Sequence, residues 1–488
     1  MLKKIHFHLQ KYYIFITLLL AILLGLLLRL YGLTVQSYWF DEVFSIQLSN
    51  PIHSFDYVYQ HALGDVHPPF YQSLLWIWYK FFGFSEFSGR FLSTLIGTFS
   101  IYAIYALARE LYNREVGIYS ALIVATNYFA LLYSQEVRSN ILMFLFSILS
   151  YLYFVKLIKD SSKKNISLYI LFSTLVIYTH YFGFFLVATE LFVFIYYLII
   201  SKIDRVKLIK IAVISAILMF IALLPLFQRI LEHIHTASYW MPSPSPLFFI
   251  DYMKAFTLSP FLHKIFLILL FIPIGFIIFK KEYRDSTLLI IIWIIIAFAI
   301  PYIKSVTGFS ILIERSMIIV LPALIILVSY GIYVLKINYI KIGIIGVIIF
   351  FSLYHIYRMG YYTKVSKDQF REVLQSIEKI DNTLPIYDFI MRGSIDNKYK
   401  SQYFKSYATM IDSKVEVYPA LELYNKYKEN RVPSCFWVVH AHKDYISTSF
   451  ILKQEGMVRV DTIDKFQAQA FLYAYKTNPK ICLKANNE

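Results

Sequence analysis

Charged residues are scarce in this chain, and the scarcity excludes an ordinary soluble protein. Asp, Glu, Lys and Arg make up 16% of the 488 residues, whereas a soluble domain usually contains about 25%. The hydrophobic residues, 58% of the chain, lie in long uncharged runs rather than at the spacing of soluble helices or strands. Because a run of roughly 20 apolar residues crosses a bilayer as a helix, the composition predicts a protein that crosses the membrane many times.

Cysteine is also rare, and this limits metal and redox chemistry. Cys435 and Cys482 are the two cysteines of the chain, and two thiols do not complete a tetrahedral cage. They can form one disulfide if the C-terminal region lies outside the cytosol, and two buried free thiols fit the sequence equally well. The sequence requires no cofactor, although a divalent metal held by other ligands stays possible.

The uncharged runs predict about eleven spanning helices. We place them near residues 12–33, 89–108, 115–133, 139–157, 166–181, 183–200, 209–227, 263–279, 287–303, 313–335 and 340–357. Basic residues gather at every second connection, for example at Arg109 and Arg114 and again at Lys336 and Lys341. By the positive-inside rule these connections and the N-terminus are cytoplasmic, and the C-terminal region is outside. The same rule accounts for much of the net charge of +16, so we do not expect a nucleic-acid partner.

The chain therefore divides into two predicted domains. Residues 1–358 form an all-α transmembrane domain with a long first outside loop over residues 34–88. Residues 359–488 are richer in charge, with helical spacing over 370–380 and a buried apolar run over 435–440. This pattern predicts a small extracytoplasmic soluble α/β domain.

Residues capable of chemistry gather on the predicted outside face. They are Asp41 and Glu42 after an aromatic run, His67 before Pro68 and Pro69, the polar stretch Tyr133–Ser139 with Glu136 and Arg138, then His180 with Tyr181, and Glu314 with Arg315. Arg29 lies late in the first predicted span, where a buried cation requires an anionic partner. Each signal has a structural explanation on its own, such as a solvated loop acid or a packed histidine, but chance would scatter the residues over both faces.

Together these residues indicate transfer from a phosphate-linked lipid. Arginines beside aromatic residues at the outer leaflet suit a lipid phosphate, and a neighbouring carboxylate can deprotonate an attacking hydroxyl. The residues alone support no narrower class.

The order of the motifs resembles the GT-C glycosyltransferases of the protein O-mannosyltransferase and lipid A aminoarabinose transferase superfamily, of which the family-39-like membrane proteins are part. The resemblance rests on Arg29, Trp39-Phe40-Asp41-Glu42, His67-Pro68-Pro69-Phe70-Tyr71, Ser85-Glu86-Phe87 with Arg90, Tyr133-Ser134-Gln135-Glu136-Val137-Arg138, Thr179-His180-Tyr181, and Glu314-Arg315 with Leu321-Pro322. It covers nearly all of residues 12–358. It extends more loosely to Asp368-Gln369-Phe370-Arg371, which is similar to the start of the outer domain in bacterial members.

The resemblance implies an inverting transferase that takes a hexose or pentose from a polyprenyl-phosphate donor in the cytoplasmic membrane. Asp41 is then the catalytic base or orients the acceptor, and Glu42 supports it. Arg138, Arg315 and Arg29 are expected near the donor phosphate. The supporting or substrate-binding residues are His67, Glu136, His180 and Tyr181. The acceptor is a glycan, a lipid or a protein.

The chain departs from the family pattern in two motifs. After Glu136 it has Val137-Arg138-Ser139-Asn140, where many members have Arg-Met-Tyr or Arg-Pro-Tyr, and after Arg315 it has Ser316, where many have tyrosine. The missing tyrosine leaves the role of Arg315 more open. Two other functions remain alternatives, namely a transporter or flippase of lipid-linked sugars and a non-catalytic scaffold.

Overall fold

A computed structural model describes residues 2–200, 205–234, 241–279, 283–389, 403–441, 456–479 and 482. These residues form two compact units. The first unit comprises residues 1–31, 59–73 and 91–360, and the second comprises residues 32–58, 74–90 and 361–488. This division differs from the predicted one, because most of the first outside loop groups with the C-terminal region rather than with the membrane helices.

Up to residue 360, the regular secondary structure of the described residues is helical, with no strand. Its helices are α1 (Leu2–Leu30), α2 (Phe40–Leu48), α3 (Phe55–Leu63), α4 (Phe70–Phe82), α5 (Glu86–Leu111), α6 (Arg114–Thr126), α7 (Tyr128–Ser134), α8 (Asn140–Lys159), α9 (Lys163–Thr179), α10 (Gly183–Ile200), α11 (Arg205–Leu223), α12 (Phe227–Ile234), α13 (Phe248–Thr257), α14 (Pro260–Phe279), α15 (Arg284–Thr307), α16 (Leu321–Tyr333) and α17 (Asn338–Arg358). Short 3₁₀ segments lie at Leu224–Leu226 and Glu314–Ile319. The prediction of an all-α polytopic membrane region is confirmed.

Fewer than eleven of the described helices have the length and hydropathy expected of a membrane span. Among the described residues, seven helices are long and apolar enough to span a bilayer, and two bent pairs raise the number to nine. Each of the eleven predicted runs contains helix, but α9 has 17 residues and α16 has 13. The count of eleven therefore stays a prediction.

Among the residues that the structure describes, two pairs of consecutive apolar helices are sharply bent, and each bend has a local cause. The axes of α6 and α7 differ by 59° at Asn127, whose side-chain oxygen accepts the Ala130 N–H at 3.0 Å and so begins a new helix. The axes of α13 and α14 differ by 115°. There Leu258 adopts a left-handed conformation with φ of 57°, and Pro260 begins α14 at the position where proline is tolerated.

In the second unit the C-terminal region folds as α/β, as predicted. Its elements are α18 (Phe370–Ile380), β1 (Ile386–Asp388), α19 (Tyr403–Met410), β2 (Val417–Pro419), α20 (Ala420–Lys428), β3 (Cys435–Ala441), β4 (Met457–Lys465) and β5 (Ala468–Tyr475). The described strands form one sheet in the order β2-β1-β3-β5-β4, with β1, β2 and β3 parallel and β5 antiparallel to both neighbours.

A disulfide links the central strand of this sheet to a residue near the C-terminus. Cys435, at the start of β3, is bonded to Cys482, 47 residues later. Of the two states that the sequence allowed, the structure has the disulfide. It ties the last described residue to the central strand, which is buried along its length.

Candidate functional site

In the second unit, the first turn of α2 carries the two acids that the sequence singled out. The N–H groups at the start of a helix have no acceptor within the helix, and here two carboxylates accept them. Glu42 Oε2 lies 3.3 Å from the Trp39 nitrogen, and Asp368 Oδ2 lies 2.7 Å from the Phe40 nitrogen. Acids are favoured there by both hydrogen bonding and the helix dipole. Glu42 is fully buried, whereas Asp41 is partly exposed.

Glu42 is anchored by two cations. Arg90 approaches both carboxylate oxygens, with Nε 2.9 Å from Oε1 and Nη2 2.8 Å from Oε2. Lys367 Nζ lies 3.0 Å from Oε2. A buried carboxylate is stable only when it is paired and hydrogen-bonded in this way. Glu42 is therefore an anchor, and Asp41 is the carboxylate of the pair that solvent or a substrate can reach. We call Asp41, Glu42, Arg90, Lys367 and Asp368 the carboxylate cluster.

Arg90 also shapes the chain that leads into α2. Its Nη1 donates to the carbonyls of Leu33 at 2.8 Å and Gln36 at 2.7 Å, and its Nη2 donates to the carbonyl of Ser37 at 3.1 Å. The guanidinium carbon lies 4.6 Å from the centre of the Tyr38 ring. One buried side chain thus fixes both Glu42 and the backbone before it.

Glu86 is the centre of a second set of contacts near α2. Arg371 Nη1 lies 2.6 Å from Glu86 Oε2, and the Tyr407 hydroxyl donates to the other oxygen. The same hydroxyl accepts the N–H of Tyr38 at 2.9 Å. Burial, together with the negative charge of Glu86, holds the pKa of Tyr407 well above its ordinary value, so this phenol remains a donor.

In the first unit, five other residues form what we call the cation–histidine cluster: Asp65, His67, Arg138, His180 and Arg315. His67 Nδ1 lies 3.4 Å from Asp65 Oδ2, and the rings of His67 and His180 meet edge to face at 5.0 Å. His180 Nδ1 accepts the N–H of Phe182 at 3.1 Å, which fixes the orientation of its ring.

The two arginines complete this cluster electrostatically. Asp65 and His180 both lie within electrostatic reach of Arg138, and His180 also lies within reach of Arg315. Burial opposes ionisation of Asp65, but the hydrogen bond and charge of His67 and the charge of Arg138 lower its pKa below the ordinary value. Two guanidinium groups beside imidazoles can bind a phosphate.

Two further predicted residues border the cation–histidine cluster. Tyr181 is half-buried within electrostatic reach of Asp65. Glu136 is buried, and its backbone carbonyl accepts the Ser93 hydroxyl at 2.6 Å. Six predicted residues therefore lie in or beside this cluster in the first unit: His67, Glu136, Arg138, His180, Tyr181 and Arg315. Asp41 and Glu42 belong to the second unit.

The structure places Arg29 inside the bend between α6 and α7 rather than in the cation–histidine cluster. The side chain is fully buried. Its Nε donates to Ser134 Oγ at 3.0 Å, while Nη1 and Nη2 donate to the carbonyls of Ala125 and Val124 at 3.2 Å each. Those carbonyls belong to the last turn of α6, which has no helical partners for them. Since these contacts explain the arginine, we leave Arg29 out of the candidate phosphate site.

Sequence reasoning missed several residues of both clusters. Asp65 lies only two positions before His67, and an acid so close to a histidine was the available signal. Arg90 and Asp368 stood inside family motifs without a role, and Lys367 carried no signal. Within the described residues, no group of three or more His, Cys, Asp or Glu side chains is arranged to hold a metal ion.

The chain was compared with known families and proteins. Residues 66–227, about a third of the chain, match the family described as dolichyl-phosphate-mannose-protein mannosyltransferase. No curated protein matches the chain.

Several solved structures share the fold. ArnT from Cupriavidus metallidurans in the apo state has a TM-score of 0.63 at 13% identity, with 93% of this chain and 97% of that chain covered. The same protein bound to undecaprenyl phosphate has a TM-score of 0.62, with the same identity and coverage. The archaeal oligosaccharyltransferase AglB from Archaeoglobus fulgidus, in complex with an inhibitory peptide and a dolichol-phosphate, has a TM-score of 0.57 at 12% identity, with 88% and 70% covered. At these identities the likeness establishes the fold.

Proposed function

We propose that this chain, which belongs by its fold and motifs to the GT-C superfamily of membrane glycosyltransferases, is an inverting transferase that moves a sugar from a polyprenyl-phosphate donor to an acceptor hydroxyl. The observation that carries the proposal is the partly exposed Asp41 in the first turn of α2, next to the buried and anchored Glu42. The match of residues 66–227 to a mannosyltransferase family supports the same class.

Asp41 acts as the general base in the proposed reaction. Its carboxylate takes the proton of the acceptor hydroxyl while the acceptor oxygen forms a bond to the anomeric carbon of the sugar. The bond from that carbon to the phosphate oxygen breaks, and the polyprenyl phosphate leaves with the electron pair. This single displacement inverts the anomeric carbon. General-base catalysis of this kind contributes about 10²–10⁴-fold to a rate.

The cation–histidine cluster is the proposed binding site of the donor phosphate. Arg138 and Arg315 stabilise the negative charge that grows on the phosphate as the sugar departs, and His67 with His180 provides further polar contacts. ArnT has been solved with undecaprenyl phosphate and AglB with dolichol-phosphate. We extend a ligand of that chemistry to this chain.

The reaction takes place, in this proposal, on the outer face of the cytoplasmic membrane. The alternating basic connections predict that the N-terminus is inside and the C-terminal region is outside. The Cys435–Cys482 disulfide supports this orientation, because disulfides persist in oxidising compartments and are rare in the cytosol.

One observation favours the alternative of a transporter for lipid-linked sugars. Broken helices are common at transporter binding sites, and the described part of this chain has two bent pairs, α6 with α7 and α13 with α14. The sequence, however, shows no repeat that would relate two halves of such a transporter.

The experiment that tests the proposal is a transfer assay with the full-length protein in lipid nanodiscs. The protein is given radiolabelled polyprenyl-phosphate sugars, one at a time, with a membrane extract as the source of acceptor. We expect transfer from one donor, and a loss of about 10³-fold in Asp41→Asn, which removes the base and keeps the size of the side chain. Arg138→Gln is expected to weaken binding of undecaprenyl phosphate about tenfold or more.

The control is Asp381→Asn, a carboxylate in the second unit that only caps its own turn. Full activity in Asp41→Asn would defeat the assignment of the base. Absence of transfer from every donor, with a cooperative thermal melt, would favour the transporter, and a lipid-flipping assay would then decide.

A further inference from the structure

The segment that follows the last membrane helix, Ser366–Asp368, holds the chain that leads into α2. Gln36 Oε1 accepts the backbone N–H groups of Ser366 at 2.8 Å and Lys367 at 3.0 Å. The Ser37 hydroxyl donates to the carbonyl of Asp368. All of these residues lie in the second unit. Their hydrogen bonds form one continuous network between two segments that are 330 residues apart in sequence.

Asp368 completes the first turn of α2. Its carboxylate is buried and lies 2.7 Å from the nitrogen of Phe40, the residue immediately before Asp41. The residue preceding the helix is Trp39, whose side chain makes no capping hydrogen bond of its own. The usual capping side chain is thus supplied by the C-terminal region, and the position of Asp41 depends on it.

Lys367 acts on the other acid of the turn. Its ammonium group lies 3.0 Å from Glu42 Oε2, the oxygen that Arg90 Nη2 also approaches. Two cations therefore hold one carboxylate, and neighbouring residues of the segment hold both ends of the same helical turn. Helix α19 of the C-terminal region also packs against α2.

We propose that Asp368 and Lys367 are positioning residues for Asp41, so that the C-terminal region is a working part of the active site rather than a cap or an acceptor-binding module. Asp368 fixes the backbone at Phe40, and Lys367 fixes Glu42. This inference rests on the proposed function, because it assigns the two residues to the reaction in which Asp41 is the base.

The experiment compares Asp368→Ala with Asp368→Asn in the full-length protein in nanodiscs. The alanine variant removes the acceptor for the Phe40 N–H, whereas the asparagine variant keeps an oxygen at that place. Because a small misplacement of a catalytic group costs about 100-fold in turnover, we expect that loss of kcat in Asp368→Ala, with the Kd for undecaprenyl phosphate unchanged. Asp368→Asn is expected to recover most of the activity.

Hydrogen exchange provides a second readout that needs no substrate. We expect faster exchange in Asp368→Ala for peptides covering Phe40–Leu48, with unchanged protection of the sheet. Asp381→Ala is the matched control, because its carboxylate also accepts a backbone N–H, that of Thr383 at 2.8 Å, within the same unit. It is expected to change neither turnover nor exchange in α2.

Lys367→Gln keeps the experiment decisive if Asp368→Ala fails to fold. It leaves Arg90 on Glu42, and we expect about a tenfold loss of kcat with donor binding intact. Wild-type exchange in α2 of Asp368→Ala, or equal activity of the alanine and control variants, would overturn the inference. If the wild-type protein transferred no sugar, the proposed function would fail by itself, while exchange would still show whether Asp368 holds α2.

Discussion

Arg29 in the first unit and Arg90 in the second are both fully buried, yet their surroundings use them differently. Arg90 faces the carboxylate of Glu42 through two nitrogens and also binds three carbonyls of the chain before α2. Arg29 binds a hydroxyl and the carbonyls at the bend between α6 and α7. Arg90 is therefore an ionic anchor, whereas Arg29 replaces the hydrogen bonds that a bent helix loses. A buried arginine in a membrane protein is therefore not by itself evidence of a phosphate site.

The largest expected effect comes from breaking the ionic anchor. Glu42→Gln leaves the buried Arg90 and the half-buried Lys367 without their carboxylate, and we expect a loss of about 3–5 kcal/mol in the free energy of unfolding. Denaturant unfolding of the purified protein measures it. Glu429→Gln is the control, since its ion pair with Arg431 is exposed and 3.6 Å long, and a change below about 1 kcal/mol is expected. Equal stability of the two variants would show that Glu42 is no anchor.

Reduction of the disulfide should weaken the second unit selectively. The Cys435–Cys482 bond closes a long loop, and its removal is expected to cost about 2–4 kcal/mol. Hydrogen exchange of Cys435→Ser with Cys482→Ser would report faster exchange in β3 and β5 and wild-type protection in α8 and α16. Uniform loosening of both units would contradict the view that the bond acts within one of them.

Replacement of Arg29 tests the other half of the comparison. Arg29→Met leaves the carbonyls of Val124 and Ala125 without this donor, and we expect a loss of about 2–3 kcal/mol, with the Kd for undecaprenyl phosphate unchanged. Binding of that lipid and thermal unfolding are measured on the same sample. Weaker lipid binding at wild-type stability would restore the original prediction that Arg29 contacts the donor phosphate.

The smallest effect is expected at Gly97, which lies against the same bend. A Cβ atom added there would overlap Ser134 Oγ and come within 3.1 Å of Arg29 Nε, so Gly97→Ala should cost about 1–3 kcal/mol. Gly275 is also a helical glycine, but a Cβ atom there meets nothing within 4 Å, and alanine is expected to be neutral or stabilising by about 1 kcal/mol. A melt that ranked the two variants in the opposite order would refute close packing at the bend.

Much of the fold followed from the sequence, and the features that did not follow have two different causes. The apolar runs predicted the membrane helices and the C-terminal pattern predicted an α/β region, because both depend on the periodicity of neighbouring residues. The sequence did not predict the bends at Asn127 and Leu258, because an apolar run has the same composition whether its helix is straight or bent. The grouping of residues 32–58 with the C-terminal region depends on contacts between segments that are distant in sequence, and hydropathy and residue order do not predict such contacts.

The candidate residues divide in the same way. Asp41, Glu42, His67, Arg138, His180 and Arg315 were identifiable because acids, histidines and arginines are costly beside a membrane and stand out there. Whether each one is an anchor or is available to a substrate was not identifiable. In the structure, Glu42 and Arg29 are hydrogen-bonded to other groups of the protein. Asp65 and Lys367 belong to the two clusters although the sequence did not single them out.

By itself, the sequence determined that the protein crosses a membrane and that its motifs have an order similar to that of the GT-C superfamily, and it predicted that the residues capable of chemistry gather at one face. These properties are local, since they depend on hydropathy and on residue order. Only the tertiary structure decided that Glu42 is neutralised by Arg90 and Lys367, that Arg29 supports a helix bend, and that Asp368 caps α2. Burial and hydrogen-bond partners are properties of residues brought together from distant parts of the chain, and no local pattern records them.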